Sequence, residues 1–236
     1  MNCKTRRWGT LATSFVLCFG AAKQAVAQWT AVSYGVAEYD TKQTLLLLAG
    51  VSATPKGMGL QPVLSLQAYT LGYDVGSSRT NVFSVRPAAG LGYNYNGGDI
   101  DGTIGYAFSN NKTSTGPVVS TDRGQGVDIA GEWDHWGTGG PMGYQALGSY
   151  NFGGKSFWGR GRVTTRVSQH GAASTRVGAE AAYLSGPGYS AWQPGGVFEW
   201  HAAGGQILGL AAGGKFANSG GNAIYFRIEG LLPLLR

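Results

Sequence analysis

Most of this chain alternates, with a period of two, between apolar residues and small or polar residues. In the stretch IDGTIGYAFS, residues 100–109, Ile100 and Ile104 share one side of the backbone, and Asp101 and Thr103 share the other. Successive side chains leave opposite faces of a β-strand, so the pattern predicts a strand with two chemically different faces. Similar segments of about ten residues alternate with clusters of Gly, Asn, Ser and Asp that favour turns.

This alternation of strand-like and turn-like segments predicts a single all-β domain over residues 28–236. We expect about twelve antiparallel strands joined in order of sequence, with ten strands as the alternative. The longest connection, residues 110–125, is predicted to be a loop. The predicted strands lie at residues 29–39, 45–53, 61–73, 80–95, 100–109, 126–136, 142–152, 156–168, 174–184, 189–201, 206–217 and 222–232.

The first 27 residues have the pattern of a secretory signal peptide. A basic start is followed by a mostly apolar stretch over residues 8–22 and by Ala25-Val26-Ala27, which predicts cleavage before Gln28. The apolar stretch is shorter than the roughly 20 residues that a membrane-spanning helix needs. We therefore expect an exported protein.

Cleavage before Gln28 would also remove both cysteines, Cys3 and Cys18, and four of the 18 basic residues. The formal net charge would fall from +6 to +2, because 14 cations would then face 12 acids. Such a weak charge does not favour a nucleic-acid partner, and no thiolate is left to bind a metal or act as a nucleophile.

The polar faces of the predicted strands separate two kinds of β-protein. A soluble sandwich would place many lysines and glutamates there, whereas these faces carry small residues and equal numbers of cations and anions. Balanced charges suit a confined lumen, where they pair. The predicted inward charges are Arg86, Arg160, Arg162, Arg166, Arg176, Lys215 and Arg227, against Asp101, Asp128, Glu132, Asp134, Glu180, Glu199 and Glu229.

Tryptophans fall near the ends of the predicted strands. If the chain winds up and down from a periplasmic N-terminus, Trp29, Trp133, Trp136 and Trp200 lie near the periplasmic side, and Trp158 and Trp192 lie near the opposite rim. Aromatic girdles at both interfaces are typical of outer-membrane barrels, because amphipathic rings prefer the headgroup level. We therefore predict a transmembrane β-barrel of the bacterial outer membrane, in contact with lipid, with a secreted β-sandwich binding module as the less favoured alternative.

One hairpin allows a register to be predicted. A turn centred near Gly171 places Arg162 across from Glu180, with both side chains pointing into the lumen. The same register places Arg166 opposite Arg176, and this pair would need an acid from elsewhere, such as Asp128 or Glu132. We expect ion pairs in the lumen among Arg160, Arg162, Arg166, Arg176, Glu180, Asp128, Glu132, Arg227 and Glu229.

Catalytic patterns are weak in this sequence. Ser168 and His170 have the residue types of a nucleophile and a base, but they fall at a predicted turn. His135 and His201 lie beside tryptophans at strand ends, and their spacing matches no metal motif. We expect no catalytic residues, no metal and no cofactor.

A family resemblance lies in the stretches SYNFGGKSFWGRGRVTTRV (149–167) and TRVGAEAAYLSGPGYSAWQPGG (175–196). An aromatic pair leads into alternating arginines, and a Gly-x-Glu follows on the next strand; these positions are Phe157, Trp158, Arg160, Arg162, Gly178 and Glu180. The pattern resembles small outer-membrane barrels of the cellulose-biosynthesis protein S family, over roughly residues 80–232.

The resemblance implies a non-enzymatic role in cellulose export or assembly, with polysaccharide or the cellulose synthase machinery as partner. It implies no catalytic residues. A small general porin or surface barrel is the alternative that the residues leave open.

Overall fold

The computed structural model describes residues 29–75, 77–135 and 141–235, which form a closed antiparallel barrel of twelve strands. Each strand pairs with its neighbours in sequence, and the first strand closes the barrel against the last. The strands are β1 (Trp29–Asp40), β2 (Leu45–Pro55), β3 (Gly59–Val75), β4 (Ser78–Tyr95), β5 (Gly98–Thr115), β6 (Val118–His135), β7 (Met142–Asn151), β8 (Ser156–His170), β9 (Ala173–Gly186), β10 (Tyr189–His201), β11 (Ile207–Ala217) and β12 (Ala223–Leu235).

The predicted all-β, up-and-down antiparallel barrel is confirmed, and of the two predicted counts the structure has twelve strands. The predicted signal peptide, residues 1–27, and the predicted girdle residue Trp136 lie outside the described residues. No helix in the described ranges is long and apolar enough to cross a membrane.

The predicted loop at residues 110–125 is wrong. β5 and β6 stay paired up to Thr115 and Val118, and only Gly116 and Pro117 form the turn. Gly116 has a positive φ of 56°, which suits a tight turn. β-branched residues flank it on both sides, and such residues favour strands, so the hairpin continues where the polar composition had indicated a loop.

The two faces of the barrel wall differ in the way that the alternation predicts. Large apolar side chains such as Ile104 and Phe226 are exposed on the outside, whereas Arg162, Glu180 and Glu199 are buried on the inside. The alternative of a secreted soluble sandwich is therefore wrong, because a sandwich buries its apolar faces between two sheets, whereas this chain forms a closed barrel.

The outward apolar residues form a band around the barrel. On β5 the band runs from Ile100 to Phe108, and both of these side chains are exposed. Eight residues at about 3.4 Å each, on a strand tilted by about 40°, span roughly 20 Å along the barrel axis. This is close to the apolar height of about 25 Å that outer-membrane barrels present to lipid.

Candidate functional site

The β8–β9 hairpin brings together the pair that the sequence predicts. Arg162 lies directly across from Glu180, so the predicted register is confirmed. The guanidinium donates to Glu180 Oε2 from Nη2 at 2.7 Å and from Nε at 3.2 Å. The side chains are 3% and 0% exposed, respectively, so the pair is fully shielded from water.

Arg162 also reaches beyond its own hairpin. Its Nη1 donates to Glu199 Oε1 on β10 at 2.7 Å and contacts Glu229 on β12. Three strands separate β8 from β12 in the wall, so the contact with Glu229 crosses the lumen. One arginine therefore joins three carboxylates from three strands.

Arg227 is a second junction of the same network. It contacts Glu180 through Nη2 and donates to Glu38 Oε2 from Nη1 at 3.3 Å. Tyr225 donates its hydroxyl to Glu180 Oε1 at 3.0 Å, and its side chain is fully buried. Gly195 on β10 leaves room for this hydroxyl, because a Cβ at that position would lie 2.2 Å from the hydroxyl oxygen.

Arg160 extends the network toward β7. It donates to Glu229 Oε2 at 2.8 Å and to Gln145 Oε1 at 2.7 Å. We call the connected set of three arginines and four glutamates the lumen network. Its members are Arg160, Arg162, Arg227, Glu38, Glu180, Glu199 and Glu229.

The predicted set of inward charges omits Glu38, although the alternation of β1 places this residue on the inner face. The sequence also carries no signal for the hydrogen bond from Tyr225 to Glu180.

The other predicted ion-pair residues have different partners from those expected. Arg166 lies opposite Arg176 as predicted, but Asp128 forms its ion pair with Arg86, Nε to Oδ1 2.7 Å. Glu132 accepts a hydrogen bond from a glutamine of β7 at 3.4 Å. Arg176 instead donates to the Thr164 hydroxyl and the Pro141 carbonyl, at 3.1 and 3.0 Å. Asp128 and Glu132, predicted to supply an acid to this pair of arginines, therefore contact Arg86 and Gln145.

The predicted balance of inward charges is also wrong. Among the described residues, the seven predicted cations share the inner face of the wall with eleven acids, because Glu38, Asp40, Asp99 and Asp122 join the seven predicted anions. These four residues lie toward the ends of their strands, where the alternation is harder to follow in the sequence.

Four acids without a basic partner lie together at one mouth of the barrel. Asp99 lies directly across from Asp134, and Asp101 lies across from Glu132, on the inner faces of β5 and β6. None of these four carboxylates has an arginine or lysine within ion-pair distance in the described part of the chain. We call them the acidic mouth.

Three predicted girdle residues lie on the outer surface near strand ends. Trp133 donates to the Tyr95 hydroxyl at 2.8 Å, and Trp200 is exposed near the same end of the barrel. Trp192 is exposed near the opposite end, and its ring centre lies 4.8 Å from that of Tyr183. These positions fit aromatic rings at two membrane interfaces.

The remaining described tryptophans differ from this group. Trp29 is half-buried, and the alternation of β1 places it on the outer face with Tyr39. Trp158 shares the inner face of β8 with Arg160, while Phe157 takes the exposed outward position. Trp158 therefore lines the lumen and does not belong to the girdle.

Two of the histidines considered for catalysis or metal binding lie at strand ends. His201 lies 3.0 Å from Glu199 through Nε2 and so borders the lumen network. His170 ends β8 beside the turn at Gly171. In the part of the chain that the structure describes, no group of three or more His, Cys, Asp or Glu side chains is placed to hold a metal ion.

Comparison with known proteins adds evidence on the fold. No protein-family model matches the chain, and no curated protein matches its sequence. The translocator domain of the autotransporter NalP from Neisseria meningitidis is 12% identical, with a TM-score of 0.55 over 96% of each chain.

The β-domain of the Bordetella autotransporter BrkA is 10% identical, with a TM-score of 0.56 over 89% of this chain and 99% of that one. At such low identity the likeness concerns the fold alone. The chain is therefore an outer-membrane β-barrel in architecture.

Proposed function

We propose that this chain is a non-enzymatic outer-membrane β-barrel that serves as an accessory component of cellulose or related exopolysaccharide secretion. The observation that carries the proposal is the bridge from Arg162 to Glu229, which crosses the lumen. Buried ion pairs that join β8 to β12 across the lumen narrow it, so we expect no passage for a polysaccharide chain. The barrel would then support the secretion machinery from the membrane and would not conduct its product.

The position of the family resemblance supports the same role. The motif residues Arg160, Arg162 and Glu180 are all members of the lumen network. Three of the six residues that carry the resemblance to cellulose-biosynthesis barrels therefore belong to the lumen network.

Deletion of the gene, followed by an assay of extracellular glucan, tests this role. We expect the deletion to lower secreted cellulose and the wild-type gene to restore it. A matched control is the Lys56→Gln variant, which removes one exposed charge in the β2–β3 turn and should restore secretion fully. Unchanged extracellular glucan in the deletion strain would refute the proposed role.

A small porin is the second candidate, and the acidic mouth favours it. Asp99, Asp101, Glu132 and Asp134 place unpaired carboxylates at one end of the lumen. A narrow passage beside the lumen network would therefore attract cations. A deletion strain with normal glucan but reduced uptake of small cationic solutes would favour the porin over the secretion component.

A further inference from the structure

The outer surface of β4, β5 and β6 changes character where the apolar band ends. The apolar band on their outer faces ends at Phe83, Phe108 and Val127, all exposed; Val119, also exposed, lies apart from the band near the tip of β6. Phe83 pairs with Asn110, and Phe108 pairs with Gln125, so the border of the band shifts by two residues from each strand to the next. Strands that are tilted in a barrel produce this shift, and the border therefore runs level around the wall.

The next outward position on each strand is an amide. These residues are Asn81 on β4, Asn110 on β5 and Gln125 on β6, and all three are exposed. They form a row directly above the band, which we call the amide row. Amides exchange hydrogen bonds with ester carbonyls and hydroxyls, so this row suits the polar boundary of a lipid layer.

The outward position after the amide is a cation on all three strands. These residues are Arg79, Lys112 and Arg123, and we call them the cationic row. Apolar, amide and cationic residues thus succeed one another in the same order on three neighbouring strands.

Few acidic residues lie close enough to neutralise the cationic row. In the described part of the chain, Lys112 and Arg123 have no carboxylate within ion-pair distance, and Asp122 alternates to the other face of β6. Arg79 pairs with Asp74 at 3.0 Å, and these side chains are 41% and 40% exposed. The row therefore carries a net positive charge that faces outward.

The height of the row matches the lipid headgroups. The cations lie four residues above the border of the apolar band, which is roughly 10 Å along the membrane normal for strands at about 3.4 Å per residue and about 40° tilt. Lysine and arginine side chains lower their charged ends toward an interface, which brings them into the headgroup layer.

We propose that the cationic row binds the phosphate groups of anionic lipid in the leaflet at this end of the barrel, with the amide row against the sugar and ester groups below. This end carries the tall hairpins of β3–β6 and lies away from residue 29, so it corresponds to the outer leaflet in the predicted orientation. The inference concerns the outer wall and is independent of the proposed role in secretion.

Lipid titration of the detergent-solubilised protein, followed by native mass spectrometry, tests the proposal. The probes are diphosphorylated lipid A and the same lipid without its phosphates. We expect the wild-type barrel to bind the phosphorylated form more tightly. The double variant Lys112→Gln/Arg123→Gln should lose about 30-fold in affinity, since each cation near an anionic surface contributes about fivefold.

Three controls locate the effect. The charge-conserving variant Lys112→Arg/Arg123→Lys should retain affinity, and Lys56→Gln, at the opposite end, should lose none. Heat-modifiable migration on gels verifies that each variant is folded. Equal binding of the dephosphorylated lipid would overturn the proposal. So would a loss of affinity in Lys56→Gln as large as that in Lys112→Gln/Arg123→Gln, or binding of inorganic phosphate with no preference for the lipid.

Discussion

Removal of the Glu180 carboxylate should strongly destabilise the barrel. This side chain is 0% exposed and accepts hydrogen bonds from Arg162 at 2.7 and 3.2 Å and from Tyr225 at 3.0 Å, and it also contacts Arg227. Loss of one partner from a buried ion pair typically costs about 3–5 kcal/mol, because the remaining charge stays buried. We expect the Glu180→Ala variant to lose stability in this range.

The Arg162→Ala variant should also lose stability, but the two losses should not add. Once Glu180 is absent, Arg162 keeps Glu199 and Glu229 as partners, so its removal costs less than in the wild type. We expect a coupling free energy of about 1–3 kcal/mol, in the range measured for residues that share a network. Part of the cost of removing Glu180 is the same with and without Arg162, because the Tyr225 hydroxyl loses its acceptor in both the single variant Glu180→Ala and the double variant.

Urea unfolding in detergent micelles, followed by far-UV circular dichroism, measures the four free energies of unfolding. The exposed pair Arg79 and Asp74, 3.0 Å apart, provides a matched cycle on the outer surface. Exposed pairs of this kind couple by about 0.5 kcal/mol. Additive losses for Arg162 and Glu180, within about 0.5 kcal/mol, would show that the register or the inward orientation of this pair is mistaken.

Three further predictions follow from the two faces and the two ends of the barrel. Brominated lipid should quench the fluorescence of Trp192 but not that of Trp158. The variant Trp192→Phe should therefore remove a quenched component of the emission, and Trp158→Phe should not. The reverse result would place Trp158 on the lipid side. A cysteine at Thr115 should react with an impermeant maleimide on intact cells, and one at Ala172 should not; the opposite pattern would invert the orientation. Glu132→Gln should weaken the cation preference of any residual conductance, and an unchanged reversal potential would argue against the acidic mouth as its cause.

Local periodicity accounts for most of what the sequence predicts correctly. Hairpins join neighbouring strands through short turns, so a turn at Gly171, with its positive φ of 59°, determines that Arg162 faces Glu180. The same reasoning locates all twelve strands to within a few residues at most ends.

Contacts across the lumen depend on closure of the barrel and cannot be read from hairpins. Arg162 and Glu229 are 67 positions apart in the chain, and their contact requires the tilt and stagger of the whole wall. The link between Arg227 and Glu38 likewise exists only because β12 closes against β1. Sequence periodicity specifies which face a charge occupies, but not which opposite wall it reaches.

Trp158 illustrates a different limit. Its position near a strand end suggested the girdle, whereas the alternation already placed it with Arg160 on the inner face. Height along the barrel and orientation toward lipid are independent properties, and a girdle residue needs both.

Conductance of the purified barrel in a planar lipid bilayer measures how far the lumen network obstructs the lumen. Twelve strands enclose a lumen wider than that of an eight-stranded barrel, which side chains fill, so an empty lumen of this size would conduct well. Because the lumen network bridges β8 to β12, we expect small conductance with a preference for cations, and a marked increase in the variant Arg162→Ala/Arg227→Ala. A large, steady open-pore conductance in the wild-type protein would show that the lumen network does not obstruct the lumen.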